Sequence, residues 1–143
     1  MRGVQVRRVE AAEIRRFAEV LLRGWGVPGD ELGEAVGDHS HWHAVPGWRL
    51  YLATVDGQLA AAAALQVHGG VGYLASASTL PAHRNKGCQS ALIRRRIRDA
   101  VAEGVDLVSG LAILGSTSQQ NMERAGLRPA CTMTTWRIEP AAV

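Results

Sequence analysis

The sequence predicts an α/β domain of mixed architecture, and three observations carry that prediction. Asp56-Gly57 lies between two strand-like runs, Trp48 to Val55 and Gln58 to Val67, which marks a β-hairpin with a two-residue turn. Ile14, Phe17, Ala18, Leu21, Leu22 and Trp25 recur at helical spacing, as do Ile93, Ile97, Ala100 and Val101 further along. Beyond the hairpin, and running into the second stripe, Leu80 to Arg98 reads as a strand end, a tight basic loop and a helix.

Taken in order, Gly3 to Val9 alternates as a short strand, and the stripe from Ile14 to Trp25 is the first helix. Gly26-Val27-Pro28-Gly29 breaks it, and Asp30 is placed to cap a second helix with Leu32, Ala35, Val36 and His39 on one side. After the hairpin, Gly69-Gly70 marks another turn, and Val71 to Thr79 forms the strand leading into the loop. Pro81 has no backbone donor, so that strand stops there. Glu103-Gly104 closes the loop helix, and Leu107 to Ile113 reads as a buried strand. Ser116 with Gln119 forms a capping box for a short helix that ends at Gly126. Leu127 to Ile138 then alternates as a final strand. The order is β-αα-βββ-α-β-α-β, about six strands and about four helices in a single domain over residues 1–143.

With 47% hydrophobic and 20% charged residues, the chain has material for one soluble domain with a real core. No apolar run reaches a membrane span, and Ala60 to Leu65 is far too short. The N-terminal MRGVQVRRVEAAEIRR has no apolar block behind its charges, so no signal peptide is expected. Cys88 and Cys131 lie far apart without metal-ligand spacing, which fits a reducing cytoplasm rather than a disulfide framework. The net charge of +3 permits anionic partners. Arg94, Arg95, Arg96 and Arg98 are expected on the solvated side of the loop helix. No recognition-helix signature or row of interleaved aromatics accompanies them, which disfavours nucleic acid as a partner.

At the strand–loop–helix junction, the backbone N–H groups of roughly Arg84 to Ser90 have no intrahelical partner, and the positive end of the helix dipole points there. Gly87 lets the chain turn and lets an anion approach the backbone, while Arg84 and Lys86 add charge. By its chemistry the loop suits a phosphate.

Arg84-Asn85-Lys86-Gly87-Cys88, preceded by Thr79-Leu80-Pro81-Ala82-His83, resembles the acyl-coenzyme A loop of the GNAT superfamily of N-acyltransferases, whose pattern is Q/R-x-x-G-x-G/A. Gln89 departs from it, standing where the pattern has Gly or Ala; a branch carrying RGxGxQ…AL before the helix is most similar. The resemblance extends from about Trp48 to Ile138 and is strongest between Tyr73 and Leu127. It implies a GNAT-like fold with a central mixed, mostly antiparallel sheet. It also implies that the acyl thioester lies in a split between the strand entering the loop and the next one, here Val71–Thr79 and Leu107–Ile113. Backbone groups of Ala77, Ser78 and Thr79 would then hold the pantetheine amides as an added strand does, one N–H polarising the thioester carbonyl. Arg84, Asn85, Lys86, Gly87, Cys88, Gln89 and Ser90 would bind the diphosphate, and one helix arginine is placed to meet a peripheral phosphate. Asn121 matches a helix asparagine of that branch and would hydrogen-bond near the pantetheine arm; a helix-surface amide fits it equally.

The acid and base are poorly marked. The family often places a tyrosine four residues before the terminal glycine of the penultimate helix, to protonate the leaving thiolate, and here that position is Met122. No acidic residue lies on the strand entering the loop, so a family-style glutamate base is missing. The candidates are in His39-Ser40-His41-Trp42-His43, where the family binds acceptors: His41 and His43 as bases and Trp42 as a pocket wall. The same histidines also suit ordinary loop positions or a metal site. No carboxylate or cysteine accompanies them at a familiar spacing, so no metal is expected. Cys88 sits away from the thioester position and, like Cys131, is expected to pack; Trp25 and Trp136 are expected in the core, and His83 beside the loop.

The expected function is transfer of an acetyl or other short acyl group from acyl-coenzyme A to an amine by direct attack, in the cytoplasm. The alternative, motivated by Met122 and the missing glutamate, is a non-catalytic acyl-coenzyme A-binding protein with a regulatory or assembly role. The family usually finishes with two strands, and the stretch after Gly126 has length for one. A homodimer is therefore expected, with a partner subunit completing the last strand or the open sheet edge.

Overall fold

Five successive alanines, Ala60 to Ala64, are fully buried at the centre of the molecule, and their small side chains let helices approach both faces of the strand that carries them. That strand is the middle one of a five-stranded sheet in a computed structural model that describes residues 3–41 and 45–140. In sequence order the strands are β1 (Val4–Arg8), β2 (Trp48–Val55), β3 (Gln58–His68), β4 (Val71–Thr79) and β5 (Leu107–Gly110), and their spatial order is the same. Neighbours from β1 to β4 pair antiparallel; β4 and β5 pair parallel because α3 (Cys88–Ala102) crosses between them. The architecture is the expected mixed, mostly antiparallel one, with five strands instead of about six.

Alternation along the strands separates two cores. Leu50, Leu52, Ala62 and Ala64 face α1 (Ile14–Gly24) and α2 (Gly29–His39), meeting Phe17, Ala18, Leu21, Leu22 and Val36. Tyr51, Ala53, Ala61, Ala63 and Leu65 face α3 and α4 (Thr117–Arg124), meeting Leu92, Ile93 and Ala100, with Met122 and Ala125 at the margin. The Tyr51 hydroxyl donates to Asp99 Oδ2 at 2.9 Å, and Arg95 holds the same carboxylate, which ties α3 to the sheet.

The turn at Asp56-Gly57 has both central residues at positive φ, +50° and +80°, as the hairpin reading required. The cap of α2 is Pro28 rather than Asp30, which lies one residue inside the helix, where its carboxylate suits the dipole instead. Ser116 accepts from the Gln119 backbone N–H at 3.2 Å while the Gln119 side chain accepts from Gly115 N–H at 2.7 Å, so the capping expectation holds for α4.

Two strand expectations are corrected. β5 ends at Gly110, leaving Leu111, Ile113 and Leu114 exposed. Leu127 to Ile138 forms no strand: it meets no sheet partner, and Trp136 and Ile138 stand 90% and 98% exposed. Alternating side chains alone do not make a strand; the backbone also needs an edge to bond. Trp136 is therefore not a core residue, and Cys131 is likewise exposed. No helix among the described residues is long and apolar enough to cross a membrane.

Candidate active site

β4 and β5 run together only from Val71↔Leu107 to Leu74↔Gly110. β4 continues to Thr79, so the two strands part after Leu74, and a cavity of about 290 Å³ occupies the opening. Ser76 and Ala77 of β4, Gln89 and Arg96 of α3, and Asn121 and Met122 of α4 are among its walls. The split anticipated from the sequence is present, and Ala77, Gln89 and Asn121 of the expected binding residues meet at it.

Two residues before the wall residue Gln89, Gly87 is the cap of α3, with φ +83° and ψ 7°. An L side chain rarely adopts that conformation, so glycine here has a backbone reason. Asn85 also takes a positive φ, +60°, a conformation asparagine tolerates better than most residues. The loop from Arg84 to Gly87 is exposed, and helix geometry leaves the first N–H groups of α3 without intrahelical acceptors. Gln89, the departure from the loop pattern, donates from Nε2 to Thr79 Oγ1 at 3.0 Å and so fastens the start of α3 to the end of β4. Ser90 is half-buried in the first turn of the helix.

Ser78 turns its side chain the other way, where Oγ donates to the Leu21 carbonyl at 2.8 Å. The Ala77 carbonyl accepts from the Trp25 indole N–H at 3.1 Å, so an incoming amide meets that carbonyl already engaged. Trp25, expected in the core, is 49% exposed and stands edge-on to His39 with ring centroids 6.4 Å apart. The helix that carries the stripe ends at Gly24, and Trp25 is its cap, with its indole reaching the Ala77 carbonyl of β4 instead of the core.

His41 is described and exposed; His43 and Trp42 lie outside the described residues. No group of side chains that could hold a metal occurs among the described residues. Cys88 is buried, its thiol within 3.9 Å of the His83 carbonyl, and burial pushes its pKa up, which disfavours the nucleophilic thiolate.

The arginine row is also corrected. Arg94 and Arg98 are exposed as expected, but Arg95 pairs with Asp99 and donates to the Val6 carbonyl at 2.8 Å, and Arg96 is only 1% exposed. Arg96 donates from Nη1 to the carbonyls of Ala64 (2.9 Å) and Ala75 (3.3 Å), and from Nε to that of Leu92 (3.2 Å). One signal for it was present in the sequence: Arg96 lies at i+4 from Leu92 and i−4 from Ala100, on the apolar stripe of α3.

The family described as Acetyltransferase (GNAT) domain matches this chain over residues 1–112. No curated protein matches it in sequence. Among solved structures, AAC(6')-Iy in complex with the bisubstrate analogue CoA-S-monomethyl-acetylneamine has a TM-score of 0.74 at 17% identity, covering 96% of this chain and 99% of that one. A putative acetyltransferase from Agrobacterium tumefaciens has a TM-score of 0.74 at 20% identity, covering 94% and 99%. A ribosomal-protein-alanine N-acetyltransferase from Brucella melitensis has 0.72 at 16%, covering 96% and 100%. At such identities these structures share the fold. With the family match spanning 112 of 143 residues, the chain belongs to the GNAT acetyltransferase family.

Proposed function

We propose that the protein transfers an acyl group from acyl-coenzyme A to an amine by direct attack in the β4–β5 split. The observation that carries this reading is the pairing of two features, a cavity where β4 and β5 part and, two residues before its wall residue Gln89, the left-handed Gly87 cap of α3. Main-chain donors from Gly87 to Ser90, with Arg84, Asn85 and Lys86 around them, suit a diphosphate. The β4 edge from Ala77 to Thr79 suits the pantetheine arm, held through the donors and acceptors that Trp25 leaves unengaged, with Asn121 across the cavity.

The chemistry then needs an amine that has lost its proton and a thiolate that leaves. We assign the proton to the histidine segment, through His41 or His43. The contact of Trp25 with both His39 and the Ala77 carbonyl supports this, since it joins the start of that segment to the edge of the split. Met122 lines the cavity and cannot protonate sulfur, so water or another side chain protonates the thiolate, or it leaves unassisted. The same methionine favours the second reading, a non-catalytic binder of acyl-coenzyme A.

The protein is read as a homodimer. The exposed Met133, Trp136 and Ile138 after α4 and the exposed Leu111, Ile113 and Leu114 beyond β5 support it, because one chain leaves both groups uncovered. Removing residues after Arg128 is expected to convert a dimer into a monomer by light scattering; an unchanged mass would end this reading. Two free cysteines suit a reducing compartment such as the cytoplasm.

The test of function is release of free thiol from acetyl-coenzyme A in the presence of a mixed amine panel. Amine-dependent release supports transfer. Binding without release across a broad panel favours the non-catalytic reading, and no binding of coenzyme A removes both.

A further inference from the structure

The nature of the acyl group is written at the closed end of the split. The contact between Gln89 and Thr79 marks the open end, and the pair Leu74↔Gly110 is where β4 and β5 close. Arg96 lies two turns along α3 from Gln89, about 10 Å, bonded to the Ala75 carbonyl next to that closure. Its guanidinium is buried, bonded only to neutral carbonyls, and paired with no carboxylate among the described residues. Nη2 makes no hydrogen bond among those residues, and Arg96 lines the cavity. A structural arginine at such depth ordinarily brings its counter-charge with it. Burial lowers its pKa to about 10, so it stays charged at neutral pH.

The geometry points to an acyl group that ends in a carboxylate, a dicarboxylic monothioester of malonyl to succinyl length, with its free carboxylate on Arg96. This deepens the acyl-transfer reading and rests on it. With the thioester beside Ala77, the Ala75 carbonyl bonded by Arg96 lies two strand residues further in, about 7 Å. A succinyl chain spans about 4 Å from thioester carbon to carboxylate carbon, and one charged hydrogen bond of about 2.8 Å covers the rest. An acetyl group ends short and leaves the guanidinium unpaired.

The experiment is calorimetric titration of the full-length protein with coenzyme A, acetyl-coenzyme A and succinyl-coenzyme A. Succinyl-coenzyme A is expected to bind about 10-fold or more tightly than acetyl-coenzyme A. Arg96→Lys is expected to keep part of that preference and Arg96→Met to abolish it. Equal or tighter binding of acetyl-coenzyme A by the wild-type protein overturns the proposal while leaving the acyl-coenzyme A reading intact; failure of all three ligands to bind overturns both. A preference that survives in folded Arg96→Met overturns the assignment to Arg96, and the wild-type comparison decides even where that variant does not fold.

Discussion

Gly87 offers the sharpest perturbation, because two substitutions there share one structural cost and differ in charge. At φ +83° any L residue is strained by roughly 1–2 kcal/mol. A Cβ built at Gly87 meets nothing within 4 Å, so Gly87→Ala adds no clash to that strain. Gly87→Glu carries the same strain and brings a carboxylate to the mouth of α3. At about 6 Å from a phosphate charge, with an effective dielectric between water and a protein surface, repulsion amounts to about 1–3 kcal/mol per charge. Relative to Gly87→Ala, coenzyme A should therefore bind Gly87→Glu roughly 5- to 150-fold more weakly. Both variants would be titrated calorimetrically at low salt, with thermal unfolding recorded alongside to confirm equal stability. The gap should narrow at about 1 M salt, where screening acts within a few ångström. If the two variants bind coenzyme A equally well at low salt, the diphosphate does not sit at this helix mouth, and the functional reading built on it fails.

Three further outcomes follow from the packing. A Cβ at Gly24 would stand 2.2 Å from Ser78 Oγ, so Gly24→Ala should destabilise by about 1–3 kcal/mol in denaturant unfolding, and adding Ser78→Gly should recover most of the loss. Loss of that recovery would mean that α1 does not press on β4 here. Ser116→Ala removes the cap of α4 and should cost about 1 kcal/mol, seen as a drop of a few degrees in Tm, whereas Thr117→Ala should cost much less. Cys131 is exposed while Cys88 is buried with its pKa raised. Alkylation at about pH 8 should therefore modify one thiol per folded chain quickly and both only in denaturant.

The local elements were legible because each is fixed by near neighbours. The hairpin follows from the paired positive φ values that Asp56-Gly57 permits, the cap of α4 from Ser116 and Gln119, and the loop from Gly87 with the charges before it. β2 and β4 have the bounds that alternation and Pro81 indicated. Asp30 was misplaced because a charge in the first turn and a charge at the cap give nearly the same sequence signal.

What only the tertiary structure decided concerns residues whose surroundings come from distant parts of the chain. Arg96 shares a helix with solvated arginines, and its burial depends on α3 lying over the small side chains of β3, which leave room for a long one. Trp25 leaves the core because α1 ends at Gly24 and the Ala77 carbonyl of β4, 52 residues away, receives its N–H. Leu127 to Ile138 has the side chains of a strand, yet within one chain no sheet edge bonds its backbone. Sequence determines periodicity and turn chemistry, since both act over a few residues. Burial of a charge and completion of a sheet depend on which surfaces meet, and that is settled only when the elements pack.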